Sequence, residues 1–84
     1  MRDEIREDIR VTSENIIADA QTITSIERRK LDPNVDGDEL EKLSQDAEAV
    51  AEDLAEKAAV EKKLVGVANA QDRLRRAAQR PENR

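Results

Sequence analysis

Hydrophobic residues in the first third of the chain recur at intervals of three and four positions. The series is Ile5, Ile9, Ile16, Ala20, Ile23 and Leu31, with Thr12 and Glu27 at the steps between them. Residues three and four apart share one face of an α-helix, so the series predicts an amphipathic helix over about 3–31. Ile17 and Ile26 widen its apolar face.

A short acidic segment rich in turn residues interrupts this pattern. Pro33 disfavours helix at the residue before it, and the Asn, Asp and Gly that follow are typical of tight turns. Asp38 and Glu41 match a D-x-x-E form of the capping box that opens a helix. We therefore predict a turn over 32–38 and a second helix that begins near residue 39.

The second helical stretch carries two apolar stripes in different registers. The first stripe is Leu40, Leu43, Ala47, Val50, Leu54 and Ala58, and the later stripe is Val60, Leu64, Val67, Gln71, Leu74 and Ala78. Such a displacement predicts a stutter or a bend. Gly66 lies within the later stripe and costs about 1 kcal/mol relative to Ala in a helix. Two alternatives follow: one helix over about 39–79 with a bend near Gly66, or a break there and a short third helix.

The expected helix lengths indicate how these stretches pair. The first helix spans roughly 44 Å and the segment 39–65 roughly 40 Å at 1.5 Å per residue. We predict that they pair end to end as an antiparallel hairpin and that 67–79 projects or bends gently, because a glycine without a proline rarely ends a helix. A row of alanines four apart is expected to let the two backbones approach closely; it comprises Ala47, Ala51, Ala55 and Ala59.

The composition predicts a single all-α domain over 1–84 that assembles into a helical bundle or coiled coil, with a C-terminal tail at 80–84. The chain has no Phe, Trp, Tyr or Cys, and 42 % of its residues are charged. Without aromatic side chains or disulfides, a small domain of this kind is expected to need a partner surface to complete its core. Disorder is the competing interpretation, but the helical period and the presence of only two Gly and two Pro favour folded helices.

Charge is unevenly distributed along the sequence. Residues 32–61 carry eleven acidic and two basic side chains, a net of −9, and residues 62–84 carry seven basic and two acidic ones, a net of +5. This division favours head-to-tail or antiparallel contacts between chains. The alternative is a solvated surface that only maintains solubility. Nucleic-acid binding by the basic segment is not expected, because the chain is acidic overall and lacks aromatic residues for base stacking.

The residue inventory argues against catalysis. Without His or Cys, the usual general base, the thiol nucleophile and the commonest transition-metal ligands are missing. Pairs such as Glu52 and Glu56 have no bulky neighbours to desolvate them, and the two glycines do not form a phosphate-binding loop. We therefore expect that the protein is not an enzyme and that it binds no cofactor, metal ion or small-molecule substrate.

The segment from Asp32 to Gly37 resembles the start of an EF-hand calcium loop, D-x-[DN]-x-[DN]-G. The match ends halfway, because the twelfth position, where calcium needs a bidentate Glu, is Leu43. We interpret the segment as an interhelical turn, with weak calcium-responsive behaviour as the alternative.

The sequence therefore predicts a cytoplasmic scaffold or protein-binding module that acts through amphipathic helices and forms homo-oligomers or binds another protein. No apolar run is long enough for a membrane span. The alternative is a small acidic regulator of a larger protein, with residues 32–61 as its working surface. The predicted interaction residues form two sets. The buried contact between the helices is predicted to comprise Ile5, Ile9, Ile16, Ile23, Leu40, Leu43, Val50 and Leu54. The set predicted to meet another chain or a partner helix is Val60, Leu64, Val67 and Leu74.

Overall fold

The protein is an antiparallel hairpin of two long α-helices. The computed structural model describes residues 2–79, and the side chains of residues 4–79. Helix α1 covers Arg2–Lys30 and helix α2 covers Gly37–Gln79, and the two pack against each other. The molecule is accordingly elongated, measuring 72 × 20 × 15 Å. The all-α hairpin predicted from the sequence is confirmed, while the predicted tail at 80–84 lies outside the described residues.

The turn between the helices is held by backbone and side-chain hydrogen bonds. The amide of Asp32 donates to the carbonyl of Arg29 over 3.1 Å, and the amide of Asn34 donates to the Asp32 carboxylate over 2.9 Å. Asp36 then accepts a bond from the Glu39 amide over 2.8 Å, and its carbonyl accepts one from the Leu40 amide. Asp36 is thus the N-cap of α2. The prediction that Asp38 fills this role was wrong, because the helix begins at Gly37 and Asp38 lies within its first turn.

The two helices meet along one continuous line of half-buried residues, here called the seam. On α1 the seam is Ile5, Ile9, Thr12, Ile16, Asp19, Ile23, Ile26 and Lys30; on α2 it is Leu43, Ala47, Val50, Leu54, Lys57, Glu61, Leu64 and Ala68. Both series alternate steps of four and three, the period of a left-handed coiled coil. The predicted change of register in α2 was therefore wrong: the seam keeps its period and passes through Lys57 and Glu61 instead of Ala58 and Val60.

Helix α2 runs without interruption through Gly66, so no third helix is present among residues 2–79. Packing continues beyond that glycine, since Arg6 and Ile9 of α1 line a shallow groove together with Val65 and Ala68 of α2. The predicted end-to-end pairing of α1 with residues 39–65 was wrong for this reason. Only the last turns of α2 extend past the contact, because residues 73–79 are all exposed.

The hairpin has no fully buried side chain among the described residues. Each seam residue is covered by the opposite helix on one side and remains open to solvent on its flanks. Two helices alone cannot enclose a volume, whereas three or four can. The apolar stripe is consequently only half desolvated, and part of the stabilisation that its burial could provide is not realised.

Candidate interaction surface

The predicted interaction residues divide into two groups. Eight of them lie on the seam, half-buried between α1 and α2: Ile5, Ile9, Ile16, Ile23, Leu43, Val50, Leu54 and Leu64. The other four, Leu40, Val60, Val67 and Leu74, are exposed. The first group forms the hairpin, and the second leaves apolar surface that α1 does not cover.

The middle of the seam is polar, which the hydrophobic pattern did not predict. Lys57 of α2 contacts Asp19 of α1 at 3.1 Å and Asp53 of its own helix at 2.7 Å. One turn further along α2, Glu61 accepts a hydrogen bond from the Ser13 hydroxyl of α1. The hydrogen bonds from Lys57 to Asp53 and Asp19 raise the pKa of Lys57, and the bond from Lys57 lowers the pKa of Asp53. The signal in the sequence was the placement of Asp19 and Lys57 at seam-period positions with opposite charges.

Three exposed residues at intervals of seven, Val60, Val67 and Leu74, form a second apolar line on α2, here called the outer stripe. Their exposed fractions are 52 %, 46 % and 71 %. Val60 and Val67 each precede a seam residue by one position, so they point about 100° away from it around the helix. The outer stripe therefore belongs to a different face of α2 from the one that α1 covers.

The alanine row was predicted to lie between the helices, and the structure places most of it elsewhere. Ala47 is half-buried on the seam, but Ala51, Ala55 and Ala59 are exposed. A row with a spacing of four drifts around the helix relative to a seam with a mean spacing of 3.5. Close approach of the two backbones therefore cannot be attributed to these three alanines.

Ion pairs on the surface reinforce the two ends of the hairpin. Near the turn, Arg29 of α1 donates to Glu39 of α2 over 2.8 Å, and this bond raises the pKa of Arg29. Near the far end, Asp72 is paired with Arg76 and with Arg75, and its pKa is lowered, chiefly by the bond from Arg76. The Arg29–Glu39 pair joins the two helices, whereas both pairs of Asp72 lie within α2. Exposed pairs of this kind add little to stability.

Two carboxylates of the turn accept hydrogen bonds that hold the turn and the start of α2. Asp32 accepts from the Asn34 amide, and Asp36 caps α2. Among the described residues no three acidic side chains converge on a point where a metal ion could be held. Neither of the two described helices has an apolar stretch long enough to cross a bilayer.

Comparisons of the chain with protein-family models, with curated proteins and with solved structures found no match. The outer stripe, the polar centre of the seam and the charge distribution are therefore the features from which a function can be argued.

Proposed function

We propose that this protein is a non-enzymatic, cytoplasmic protein–protein interaction module that assembles through its amphipathic helices. The observation that carries the proposal is the absence of any fully buried residue between 4 and 79, combined with an exposed apolar stripe on α2. Small helical domains commonly complete such an incomplete core by association with further helices. The cytoplasmic location rests on the sequence alone and stays a prediction.

The mechanism is the burial of apolar surface between two or more hairpins. The outer stripe, and the flank of the seam beside it, would lose contact with water when a second hairpin packs against α2. Each square ångström of apolar surface removed from water contributes about 25 cal/mol. Charged residues on the rim would then set orientation and exclude wrong partners more than they add affinity.

Sedimentation equilibrium of the full chain at micromolar concentrations tests this proposal. We expect an average mass above that of the 9.5 kDa monomer, with a concentration dependence that fits a defined oligomer, and a melting temperature that rises with protein concentration. A heat-resistant monomer whose melting temperature does not depend on concentration would overturn the proposal.

The alternative function, a small acidic regulator, is supported by one surface. The first 25 residues of α2, 37–61, carry nine acidic and two basic side chains, a net of −7, and Glu48, Glu52 and Glu56 among them are exposed. Such a surface is suited to a basic partner. A monomer that binds a basic protein with an affinity that falls steeply as salt rises would favour this reading over assembly.

A further inference from the structure

We propose that the outer stripe binds a second copy of the chain, with α2 packed antiparallel on α2 of the partner subunit. Val67 would lie at the two-fold axis, and Val60 would face the partner subunit's Leu74. This inference rests on the proposed function and deepens it by naming the surface, the occupant and the orientation.

The spacing of the outer stripe matches a helix-packing surface. Val60, Val67 and Leu74 recur every seven residues, and Leu64, Gln71 and Ala78 follow each of them by four. An alternation of fours and threes is what a second helix needs in order to pack knobs into holes. Leu64 of this series also belongs to the seam, but the other five residues are exposed, so a second helix can reach them beside α1.

Two of the three outer-stripe residues, Val67 and Leu74, have few charged neighbours. The positions three or four residues from them are filled by Lys63, Leu64, Ala70, Gln71, Ala77 and Ala78, of which only Lys63 is charged. Val60 differs, because Glu56, Lys57 and Lys63 lie within one turn of it. Packing a helix on Val67 and Leu74 therefore desolvates little charge, which would otherwise oppose association. The small alanines allow the two helices to approach closely.

Charge favours the antiparallel orientation and a copy of the same chain as the occupant. Residues 37–61 of α2 carry a net −7, and residues 62–79 carry five basic side chains and one acidic one, a net +4. Two parallel α2 helices in register would place basic on basic and acidic on acidic. With Val67 on the axis of an antiparallel pair, Arg73 lies opposite the partner subunit's Glu61 and Lys62 lies opposite the partner subunit's Asp72. These opposite charges favour the antiparallel orientation, which also forms the closed two-fold contact that most homodimers use.

Other exposed apolar residues are less suited to this role. Val65 borders a groove that Arg6 and Asp72 also line, so a helix docked there would have to desolvate both charges. Leu31 is 80 % exposed but stands alone in the turn. Ile17 of α1, 55 % exposed, borders a groove of mainly small and polar side chains, whereas the outer stripe has three large apolar residues at helical spacing.

Substitution at the stripe and at a matched neighbour tests the surface. Val67→Asp places a charge at the proposed axis in both subunits, and we expect the dimer dissociation constant, measured by sedimentation equilibrium, to rise at least about 100-fold. Val65→Asp is the matched control, because Val65 is similarly exposed, at 49 %, on the same helix. It should change the constant less than about 5-fold. Helicity measured by circular dichroism verifies that both variants fold.

Cysteine cross-linking tests the orientation, since the chain contains no Cys of its own. Val60→Cys and Leu74→Cys chains are unfolded together, refolded and treated with a short bismaleimide. The antiparallel arrangement predicts that the linked product is the mixed species, identified by mass, while either variant alone gives little product. Val67→Cys alone should cross-link efficiently.

The possible results separate this inference from the proposed function. An oligomer that Val67→Asp weakens and that gives the mixed cross-link supports both. An oligomer that Val67→Asp leaves intact, or in which Val60→Cys and Leu74→Cys each link only to themselves, overturns the inference and leaves the proposed function standing. A wild-type chain that is monomeric at every concentration overturns both.

Discussion

Lys57 of α2 reaches across the seam to Asp19 of α1 at 3.1 Å, near the middle of the hairpin. Ile16 and Ile23 flank Asp19 along the seam of α1, while Leu54 and Glu61 flank Lys57 on α2. A polar pair at one level of a helical interface fixes the register, because a slip would separate the charges and place Asp19 against Leu54 or Glu61. Because both charges are partly removed from water, the pair is expected to stabilise the hairpin less than apolar side chains of similar size would.

Replacing this pair tests how much it contributes to the stability of the hairpin. The Asp19→Leu/Lys57→Leu double variant should be more stable to urea than the wild type, because apolar contact replaces partly desolvated charge. Lys57→Leu alone should be less stable, because Asp19 and Asp53 would then lie close together without a cation. Urea unfolding followed by circular dichroism, at one fixed protein concentration, measures both effects.

An exposed pair provides the control for this experiment. Lys42 and Asp46 are joined at 3.3 Å along the surface of α2, with side chains 74 % and 51 % exposed. Lys42→Leu should therefore leave the urea midpoint nearly unchanged. A Lys57→Leu variant as stable as the wild type would show that the Asp19–Lys57 contact does not matter to the hairpin.

Acid should weaken the last turns of α2 through Asp72, whose ion-pair partners Arg75 and Arg76 lie on the same helix. The pKa of this carboxyl is lowered by the bond from Arg76, so the folded chain holds it charged at a pH where the unfolded chain, with a pKa of about 3.9, begins to take up a proton. Its contribution to stability is therefore complete above about pH 5 and disappears as the pH falls through the lowered value. A carbon-detected NMR titration should give Asp72 a midpoint below 3.9. Arg76→Gln should move that midpoint upward, and an unmoved midpoint would contradict the assignment.

The start of α2 should depend on Asp36 and not on Asp38. Asp36→Ala removes the acceptor of the Glu39 amide, and we expect a loss of about 1 kcal/mol in the free energy of unfolding. Asp38→Ala touches no such bond and should change it by less than about 0.5 kcal/mol. Chemical denaturation of the two variants side by side makes this comparison, and equal effects would argue against Asp36 as the cap.

Gly66 should be a site where stability can be gained. A methyl group added there meets no atom within 4 Å, and the backbone has no positive φ. Gly66→Ala should therefore stabilise the protein by about 1 kcal/mol, the difference in helix propensity. Gly37→Ala should stabilise the protein less than Gly66→Ala, because Gly37 is the first residue of α2 and less of the backbone around it is helical. A destabilised Gly66→Ala variant would indicate that a partner approaches the backbone at Gly66.

The periodic pattern predicted the elements of this fold well. The expected helices at 3–31 and 39–79 correspond to Arg2–Lys30 and Gly37–Gln79. Pro33 and the acidic turn residues placed the break correctly, because they act through local backbone geometry that needs no knowledge of the partner helix. The positions at which a helix begins and ends are therefore determined largely by residues close to those positions.

The register of the seam was harder to predict. After Leu54, the apolar pattern predicted that Ala58 and Val60 face α1. In the structure Lys57 and Glu61 face α1 instead. These two polar residues are accommodated because Asp19 and Ser13 meet them from α1, and that complementarity exists only once two helices are aligned. The sequence predicted the later stripe of α2 as a contact surface in a register of its own. It misplaced two residues: Leu40, predicted on the seam, is exposed, and Leu64, predicted on the later stripe, lies on the seam.

The half-covered seam also has a consequence for how long the chain would survive in a cell. Every described side chain retains some contact with solvent, so a single hairpin offers little resistance to local opening, and proteases act on opened segments. Association would protect the backbone, so proteases would degrade mainly the chains that are not bound to another copy. The steady-state amount of such a protein would then show a threshold, with rapid clearance at low synthesis rates and accumulation above them.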